Sequence, residues 1–483
     1  MHIRRRDKNL ISPQPLRKEN IASLKYLLYP SSVTIIGATS DVGKIGGILF
    51  TNIVKDGYSG RIYPVNIRRN EVLGFKCYKS VLDIPEEVDL AVIAIPAPQV
   101  PHVIEECGKK GVKVAVIISS GFAEAGEEGK VLQSEIVKLA KKYNIRILGP
   151  NSFGVINTTI NLNAAFGLPI RGRGNIAFIS QSGAILDGIL GWAQDEGVYF
   201  NILVSLGNRA DIDERELLLF LRDDTETKVI GIYIEGLPPI PAIGREFVMI
   251  LKEVTKLKPV VILKGGRSKA GARGTLSHTA SLAGDINIYK AAFKQGGALV
   301  AESLDEFIDF LKALSKQPRV KGRRIAIISN SGGLAILAAD AAEKYGIEVP
   351  ELRNELVERI KKVIPPFGNP YNPIDITAQG TPEQQYSMYA EVFKIVNNPQ
   401  VVDAILIIVE GSFPRDLMVA IKEAIIKEII PISKVPLVVN WFGAKSYVKD
   451  LVDEIENRGI PVYPTPERAI NGLRAILSLS KIY

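Results

Sequence analysis

Short continuous apolar runs, each ending in a small polar turn, alternate along this chain with segments whose apolar residues recur at helical spacing. Three of these starts share one form. Val33-Thr34-Ile35-Ile36 runs into Gly37-Ala38-Thr39-Ser40, Ile176-Ala177-Phe178-Ile179 into Ser180-Gln181-Ser182-Gly183, and Ile325-Ala326-Ile327-Ile328 into Ser329-Asn330-Ser331-Gly332-Gly333. Each then enters an apolar stretch of helical character, at 45–53, 184–192 and 334–342. Gly37, Gly183 and Gly332 are 146 and 149 positions apart. The chain is therefore built from three units of similar length, each opening with a strand, a tight turn and a helix N-terminus. Further buried-strand candidates lie at 89–96, 112–119, 229–235, 260–264, 404–410 and 435–441. Runs that are apolar on both faces suit parallel sheets covered on both sides.

The expected fold class is α/β, with three consecutive Rossmann-like or flavodoxin-like parallel-sheet domains. The polar, Asn- and Gly-rich stretch at 150–175 and the run Lys316-Gln317-Pro318-Arg319-Val320-Lys321-Gly322 mark the boundaries. This places domains at 23–150, 151–318 and 319–483, behind a basic, disordered extension at 1–22.

Length and composition agree with this division, since 483 residues that are 46% hydrophobic supply cores for about three domains. The formal charge is +8, but residues 1–20 hold six Lys/Arg against Asp7 and Glu19. Half the excess thus sits in the extension, and the remainder argues against a nucleic-acid partner while suiting anionic ligands. Cys77 and Cys107 are the only cysteines and no C-x-x-C occurs, which excludes a disulfide framework and a zinc ribbon; a reducing cytoplasm is expected, and no metal. The basic start lacks the continuous apolar region of a secretory signal. The longest charge-free stretch, 147–170, is broken by Pro150 and Pro169, so no membrane span is expected.

Candidate chemistry concentrates in one glycine-framed run. His278 is one of three histidines, and it follows Lys264-Gly265-Gly266-Arg267-Ser268 and Ala270-Gly271-Ala272-Arg273-Gly274 within Ser277-His278-Thr279-Ala280-Ser281. This composition predicts a loop rather than a helix interior, with N–H groups and hydroxyls able to surround an anion. The imidazole there reads either as a nucleophile for a phosphoryl group or as a ring satisfied by a loop carbonyl.

The first glycine turn, Gly37-Ala38-Thr39-Ser40-Asp41-Val42-Gly43-Lys44, is neither the G-x-G-x-x-G fingerprint nor a Walker A loop. An NAD site places Asp or Glu about 20 residues further on, to bind the ribose hydroxyl. Here the next strand, 61–65, ends instead in Asn66-Ile67-Arg68-Arg69. Arginine at that point fits an adenosine with an extra ribose phosphate, as in NADP or coenzyme A, and also fits a solvated basic turn. The loops at Ile95-Pro96-Ala97-Pro98 and Ser119-Ser120-Gly121 follow predicted strands, where ligands lie in open α/β sheets. His102 reads as a surface histidine at a helix start.

Taken together, these residues resemble the α subunit of the ADP-forming (NDP-forming) acyl-CoA synthetases, or acetate–CoA ligases, relatives of succinyl-CoA synthetase. The resemblance covers residues 24–483 and rests on ordered motifs. They include Pro30-Ser31-Ser32-Val33, Tyr63-Pro64-Val65-Asn66, Gly121-Phe122-Ala123-Glu124-Ala125-Gly126, Gly149-Pro150-Asn151-Ser152, Gln181-Ser182-Gly183, Ser205-Leu206-Gly207-Asn208, Tyr233-Ile234-Glu235-Gly236, Ser277-His278-Thr279 and Asn372-Pro373-Ile374-Asp375. It implies an acid–thiol ligase in which His278 is phosphorylated during turnover and Glu235 supports it; alone, Glu235 would read as a strand-end surface carboxylate. It also implies coenzyme A contacts at Gly37, Ala38, Thr39, Ser40, Gly43, Lys44, Asn66, Arg68, Arg69, Pro96, Ser119, Ser120 and Gly121. A phosphate and acyl site follows at Asn151, Ser152, Gln181, Ser182 and Gly183. The implied partner is an ATP-grasp β subunit carrying ADP or ATP with Mg2+, in an α2β2 assembly.

Two residues depart from the family pattern: Ala280, where Gly is usual after the histidine, and Ser152, where Cys is frequent. A CoA-binding regulatory protein is the alternative reading, although it would not need His278 and Glu235. An NADP-dependent oxidoreductase would explain the two arginines but leave the histidine run without a purpose. Neither the motifs nor the resemblance fixes the acyl group.

Overall fold

The computed structural model describes residues 16–238, 240–279 and 285–477, with 275–279 as backbone only. Contacts divide the chain into two units, Met1–Val300 and Ala301–Tyr483. In the first, the apolar runs become β1 (Ser32–Ile36), β2 (Arg61–Val65), β5 (Leu90–Ile93), β6 (Val114–Ile117) and β7 (Arg146–Leu148), while β3 (Glu71–Val72) and β4 (Phe75–Lys76) form a small ribbon. The five longer strands form one parallel sheet in the order β2-β1-β5-β6-β7. Helices α1 (Lys18–Ser23) and α2 (Lys25–Leu28) precede it; α3 (Ile45–Lys55), α4 (Val100–Lys110) and α5 (Glu127–Tyr143) are its crossovers. The turn after β1 needs glycine, because Gly37 has φ +98° and a Cβ there would lie 2.4 Å from the Ala94 carbonyl oxygen.

The second sheet of this unit contains β8 (Gly154–Asn157), β9 (Leu162–Ala165), β10 (Ile176–Ser180), β11 (Phe200–Ser205), β12 (Val229–Ile234), β13 (Val260–Lys264) and the edge strand β14 (Leu299–Ala301). Its order is β14-β13-β12-β10-β11-β8-β9. Strands β10 to β13 are parallel, but β8 runs antiparallel to both β11 and β9. This hairpin occupies the stretch that composition marks as a boundary, and the reason lies in its asparagines. Asn157 Nδ2 donates to the Leu28 carbonyl at 2.6 Å, and Asn163 Nδ2 to Asp56 at 2.8 Å. Asn52 on α3 donates in turn to the Ala165 carbonyl at 2.9 Å. The polar residues join the two sheets, and one hydrophobic core, with Ile35, Phe50, Val204 and Phe247, runs through both.

Five further helices belong to this sheet: α6 (Gly183–Asp195), α7 (Glu214–Asp223), α8 (Pro241–Thr255), α9 (Lys269–Thr279) and α10 (Ile286–Gln295). Helix α9 corrects the expectation of a loop before His278. Ser268 starts it, its hydroxyl accepting from Gly271 N at 3.0 Å and its carbonyl from Ala272 N at 2.8 Å. Each internal glycine costs about 1 kcal/mol relative to alanine, which a capped helix tolerates.

The second unit has the same strand order, β16-β15-β17-β18-β19, from β15 (Ile325–Ser329), β16 (Ile374–Asp375), β17 (Ala404–Glu410), β18 (Leu437–Phe442) and β19 (Val462–Tyr463), all parallel. The helix Leu304–Lys316, which composition puts in the middle domain, is held within this unit. Its buried Asp309 accepts from Arg468 Nε at 2.9 Å, and its Asp309 carbonyl from the Tyr463 hydroxyl at 2.8 Å.

At the start of β7, the Arg146 guanidinium uses all five of its N–H donors. Nε and Nη2 donate to Asp211 at 2.8 and 3.1 Å, Nη2 also to Glu216 at 2.6 Å, and Nη1 to the Asn20 carbonyl and Ser23 hydroxyl at 3.1 and 3.3 Å. The Arg146 side chain is only 8% exposed. Burial pushes the Glu216 carboxyl up, and Arg146 opposes that shift. The assignment of residues 1–22 to an undocked extension is therefore corrected for its last part: Leu16 packs on the core and α1 binds Arg146, while residues 1–15 lie outside the described residues. Replacing Arg146 by methionine leaves two buried carboxylates without their cation, and should lower unfolding free energy by about 3–5 kcal/mol in denaturant titrations. A chain begun at Ile21, lacking the Asn20 carbonyl, should also melt below the full chain; equal melting curves would show that α1 adds nothing.

Candidate active site

Parallel strands deliver all their following loops to one side of a sheet. Where the carboxyl ends of the first unit's two sheets converge, these loops enclose a cavity of about 1100 Å3. Its walls come from Ala94–Ala97 after β5, Ile118–Ser120 after β6, residues 151–153, Gln181–Ala184 after β10, residues 207–211 after β11 and Leu237–Pro238 after β12. The structure thus brings together Pro96, Ser119, Ser120, Asn151, Ser152, Gln181, Ser182 and Gly183 from the residues selected by sequence.

Their hydrogen bonds separate scaffolding from groups that face the cavity. Ser180 Oγ donates to the Ser182 carbonyl at 2.7 Å and accepts from its N–H at 3.1 Å, which fixes the turn into α6. Ser182 Oγ caps the helix by accepting from Ile185 N at 3.4 Å. The other first-turn N–H groups, on Gly183 and Ala184, belong to cavity-lining residues, at the positive end of a helix of 13 residues. A Cβ on Gly183 would lie 2.9 Å from Phe153 Cβ. Gln181, by contrast, is fully used. Its Oε1 accepts from Glu235 N and Gly236 N at 2.7 and 3.2 Å, and its Nε2 donates to the Gly236 carbonyl at 3.0 Å and to Glu214. Ser152 is similarly committed, donating to the Ser205 carbonyl at 2.6 Å and accepting from Gly154 N at 3.0 Å.

Glu235 ends up buried just past β12, 7% exposed, with the Tyr233 hydroxyl 3.4 Å from its Oε1. Lys264 Nζ donates to the Glu235 carbonyl at 2.7 Å. Burial pushes the Lys264 ammonium below its usual range, and Glu235 opposes the shift. Burial and Glu235 together push the Tyr233 hydroxyl up to about 12. His278 falls on α9, but its side chain, like Ala280, lies outside the described residues.

The remaining residues chosen by sequence stand outside the cavity wall. Gly37, Ala38, Thr39, Ser40, Gly43 and Lys44 form the turn into α3; Asp41 accepts from Gly43 N at 3.0 Å, and Ile45, the next residue, does line the cavity. Asn66 Nδ2 donates to the Ala38 carbonyl at 2.8 Å, tying β2 to that turn, while its Oδ1 accepts from Arg68 N at 2.9 Å. Arg68 and Arg69 are exposed beyond β2. The Gly121 N–H is held by Glu124 at 2.6 Å. His102 is an exposed residue on α4, 3.6 Å from Glu106.

Sequence reasoning gave no site role to Glu214, Arg209 and Asp187, nor to Glu124 and Asn208 beyond their place in motifs, and all five line the cavity. Glu214 is 1% exposed and accepts from Arg209 Nη1 at 2.8 Å, besides the Gln181 amide. Asn208 reaches the other wall, donating to Glu124 and, at 3.0 Å, to Gln133. The available signal was the run Asp211-Ile212-Asp213-Glu214-Arg215-Glu216, since such charge runs are normally solvated faces. Here they are buried and paired. Among the described residues no His, Cys, Asp and Glu cluster could hold a metal, and no helix is long and apolar enough to cross a membrane.

Comparison with known proteins matches three families in succession: a CoA binding domain at residues 31–158, a succinyl-CoA ligase like flavodoxin domain at 173–314 and a Ligase-CoA domain at 325–475. The chain is 44% identical to the α subunit of ADP-forming acetate–CoA ligase I from Pyrococcus furiosus, over 95% of this chain and 98% of that one. It is 41% identical to the ADP-forming acetate–CoA ligase of Methanocaldococcus jannaschii, covering 95% of this chain but 63% of that longer protein. Among solved structures, the dinucleotide-forming acetyl-coenzyme A synthetase 1 of Ca. Korarchaeum cryptofilum, in complex with phosphate and ADP, superposes with a TM-score of 0.87 at 38% identity, covering 95% and 97% of the two chains. With three matched domains in the same order and near-complete coverage of a relative of this identity, the chain belongs to the family of α subunits of ADP-forming acetate–CoA ligases.

Proposed function

We propose that the cavity is the acyl-CoA and phosphate site of an acid–thiol ligase that converts acyl-CoA, ADP and phosphate to carboxylic acid, ATP and CoA. The observation that carries this reading is the position of the cavity, where the loop ends of the CoA binding domain meet the helix N-terminus of the succinyl-CoA ligase like domain. In the first step phosphate oxygen attacks the thioester carbonyl, forming acyl phosphate and releasing CoA thiol. The N–H groups of Gly183 and Ala184 are suited to the anionic oxygens of this step, because a helix N-terminus supplies fixed donors that need no reorganisation. Then an imidazole nitrogen of His278 takes the phosphoryl group and the carboxylic acid leaves. Glu235 favours the positively charged ring, and Gln181 holds the Glu235-Gly236 peptide in register. Phosphoryl transfer draws on positioning and charge more than on covalent machinery, which fits a site made of backbone donors, hydroxyls and one histidine.

The last transfer, from phosphohistidine to ADP, belongs in this reading to an ATP-grasp β subunit that holds the nucleotide with Mg2+, assembled as α2β2 in the cytoplasm. The subunit designation of the Pyrococcus relative and the longer Methanocaldococcus protein both support a partner module. Arg68 and Arg69, exposed after β2, are assigned to the 3′-phosphate of CoA.

Incubation with acyl-CoA and radiolabelled phosphate, with and without the partner subunit, tests the central step. An acid-labile, base-stable label is expected, His278→Ala should abolish it, and Glu235→Gln should lower its rate at least about tenfold by removing the charge that favours the imidazolium. Label persisting in His278→Ala would overturn the phosphohistidine. Calorimetry with CoA and dephospho-CoA checks the arginines. The phosphate should be worth about 1.5–3 kcal/mol, and Arg68→Ala with Arg69→Ala should erase the difference.

A further inference from the structure

The apolar end of the cavity contains one charged group. Phe153 and Phe166 form its floor, their ring centroids 4.6 Å apart. Phe153 packs directly against the start of α6, as the close approach of Gly183 shows. Beside this pair lies the carboxylate of Asp187, also on α6 and also lining the cavity. A Cβ on Gly167 would sit 2.3 Å from both Asp187 Oδ1 and Phe153 Cζ, so the carboxylate lies against the aromatic floor. Oδ1 accepts one long bond from Leu168 N, at 3.4 Å. Among the described residues, Oδ2 has neither a hydrogen-bond nor an ion-pair partner. The cationic residues of the lining are engaged elsewhere: Arg209 with Glu214, Arg215 with Asp213 and Glu246, and Lys130 with Glu127.

Asp187 follows Gly183 by four residues and therefore stands on the same face of α6, about 6 Å further along the axis. Its side chain leans back toward the helix N-terminus. An acyl group whose carbonyl meets the N–H groups of Gly183 and Ala184 would bring its third or fourth carbon to this carboxylate. A methyl tail there strips water from a charge without replacing it, a carboxylate tail is repelled, and a hydroxyl tail donates a hydrogen bond.

We propose that Asp187 is a specificity-determining residue selecting short acyl groups that carry a hydroxyl at their far end, so that the thioester processed is that of a short hydroxy acid. The proposal rests on the reading of the cavity as the acyl-CoA site. Three four-carbon thioesters that differ only at the tail test it by calorimetry on the full chain, with CoA as control: 4-hydroxybutyryl-CoA, butyryl-CoA and succinyl-CoA. The wild type should bind the hydroxyacyl thioester about tenfold more tightly than the butyryl one, with succinyl-CoA weakest. Asp187→Ala should bring the hydroxyacyl-to-butyryl ratio to about one, and Asp187→Asn, which keeps the shape and the Leu168 contact, should raise succinyl-CoA affinity several-fold. A purely structural role would shift all three thioesters together and leave their ratios unchanged, which would overturn the proposal, as would a hydroxyl preference surviving in Asp187→Ala. CoA bound normally with no discrimination among thioesters also overturns it, while leaving the CoA site in place. No binding of CoA itself would overturn the site reading on which the proposal stands.

Discussion

The buried Arg146 guanidinium is the constraint on which the geometry of the cavity depends. It opens the first sheet's last strand, yet its partners are the carboxylates of Asp211 and Glu216 beside the second sheet, and the backbone of the N-terminal helix. A charge taken out of water is tolerable only when paired and hydrogen-bonded on every donor, so the geometry of this cluster leaves little freedom. Asp211 also accepts from the Ile147 N–H at 2.9 Å, which fixes the strand that carries the arginine. Two sheets that could rotate about a short connection are thereby held with their carboxyl ends facing one cavity.

The charge run that follows β11 extends this arrangement into the site. Asp211 and Glu216 face the first sheet, Asp213 holds Arg215, and Glu214 points at Arg209 and Gln181. One short segment thus serves both the interface and the cavity wall. Arg209 itself takes φ +53°, a conformation unusual outside glycine, and its Nη1 reaches the Gly236 carbonyl at 3.0 Å. Through Gln181 and Arg209 the turn after β12, and with it Glu235, is set by the same network that joins the sheets.

The cavity offers preorganised donors. The helix N-terminus at Gly183 provides positive potential at the cavity wall, without a metal cluster among the described residues. The apolar floor of Phe153 and Phe166 is adjacent to that polar end, so one pocket can hold a reacting carbonyl and a hydrocarbon tail together.

The chain's local pattern determined a good deal on its own. The apolar runs gave the strands of three α/β sheets, because residues buried on both faces of a parallel strand must all be apolar, and the polar turn after each opening strand marked the helix starts at Ile45, Gly183 and Gly332. Ordered motifs then identified the family. What they could not convey was burial. Asn157 and Asn163 read as boundary residues, and the charged run at 211–216 drew no assignment, because their partners are distant in sequence: Leu28, Asp56 and Arg146. Gln181 and Ser152, expected at the phosphate and acyl site, line the cavity and also act as structural ties, which the sequence could not convey, since a side chain's hydrogen bonds are settled only when strands from elsewhere arrive beside it. Asp187 shows the converse. One acidic residue in a helix carries no signal in the sequence, and only the packing of α6 against Phe153 and Gly167 places it at the end of the cavity.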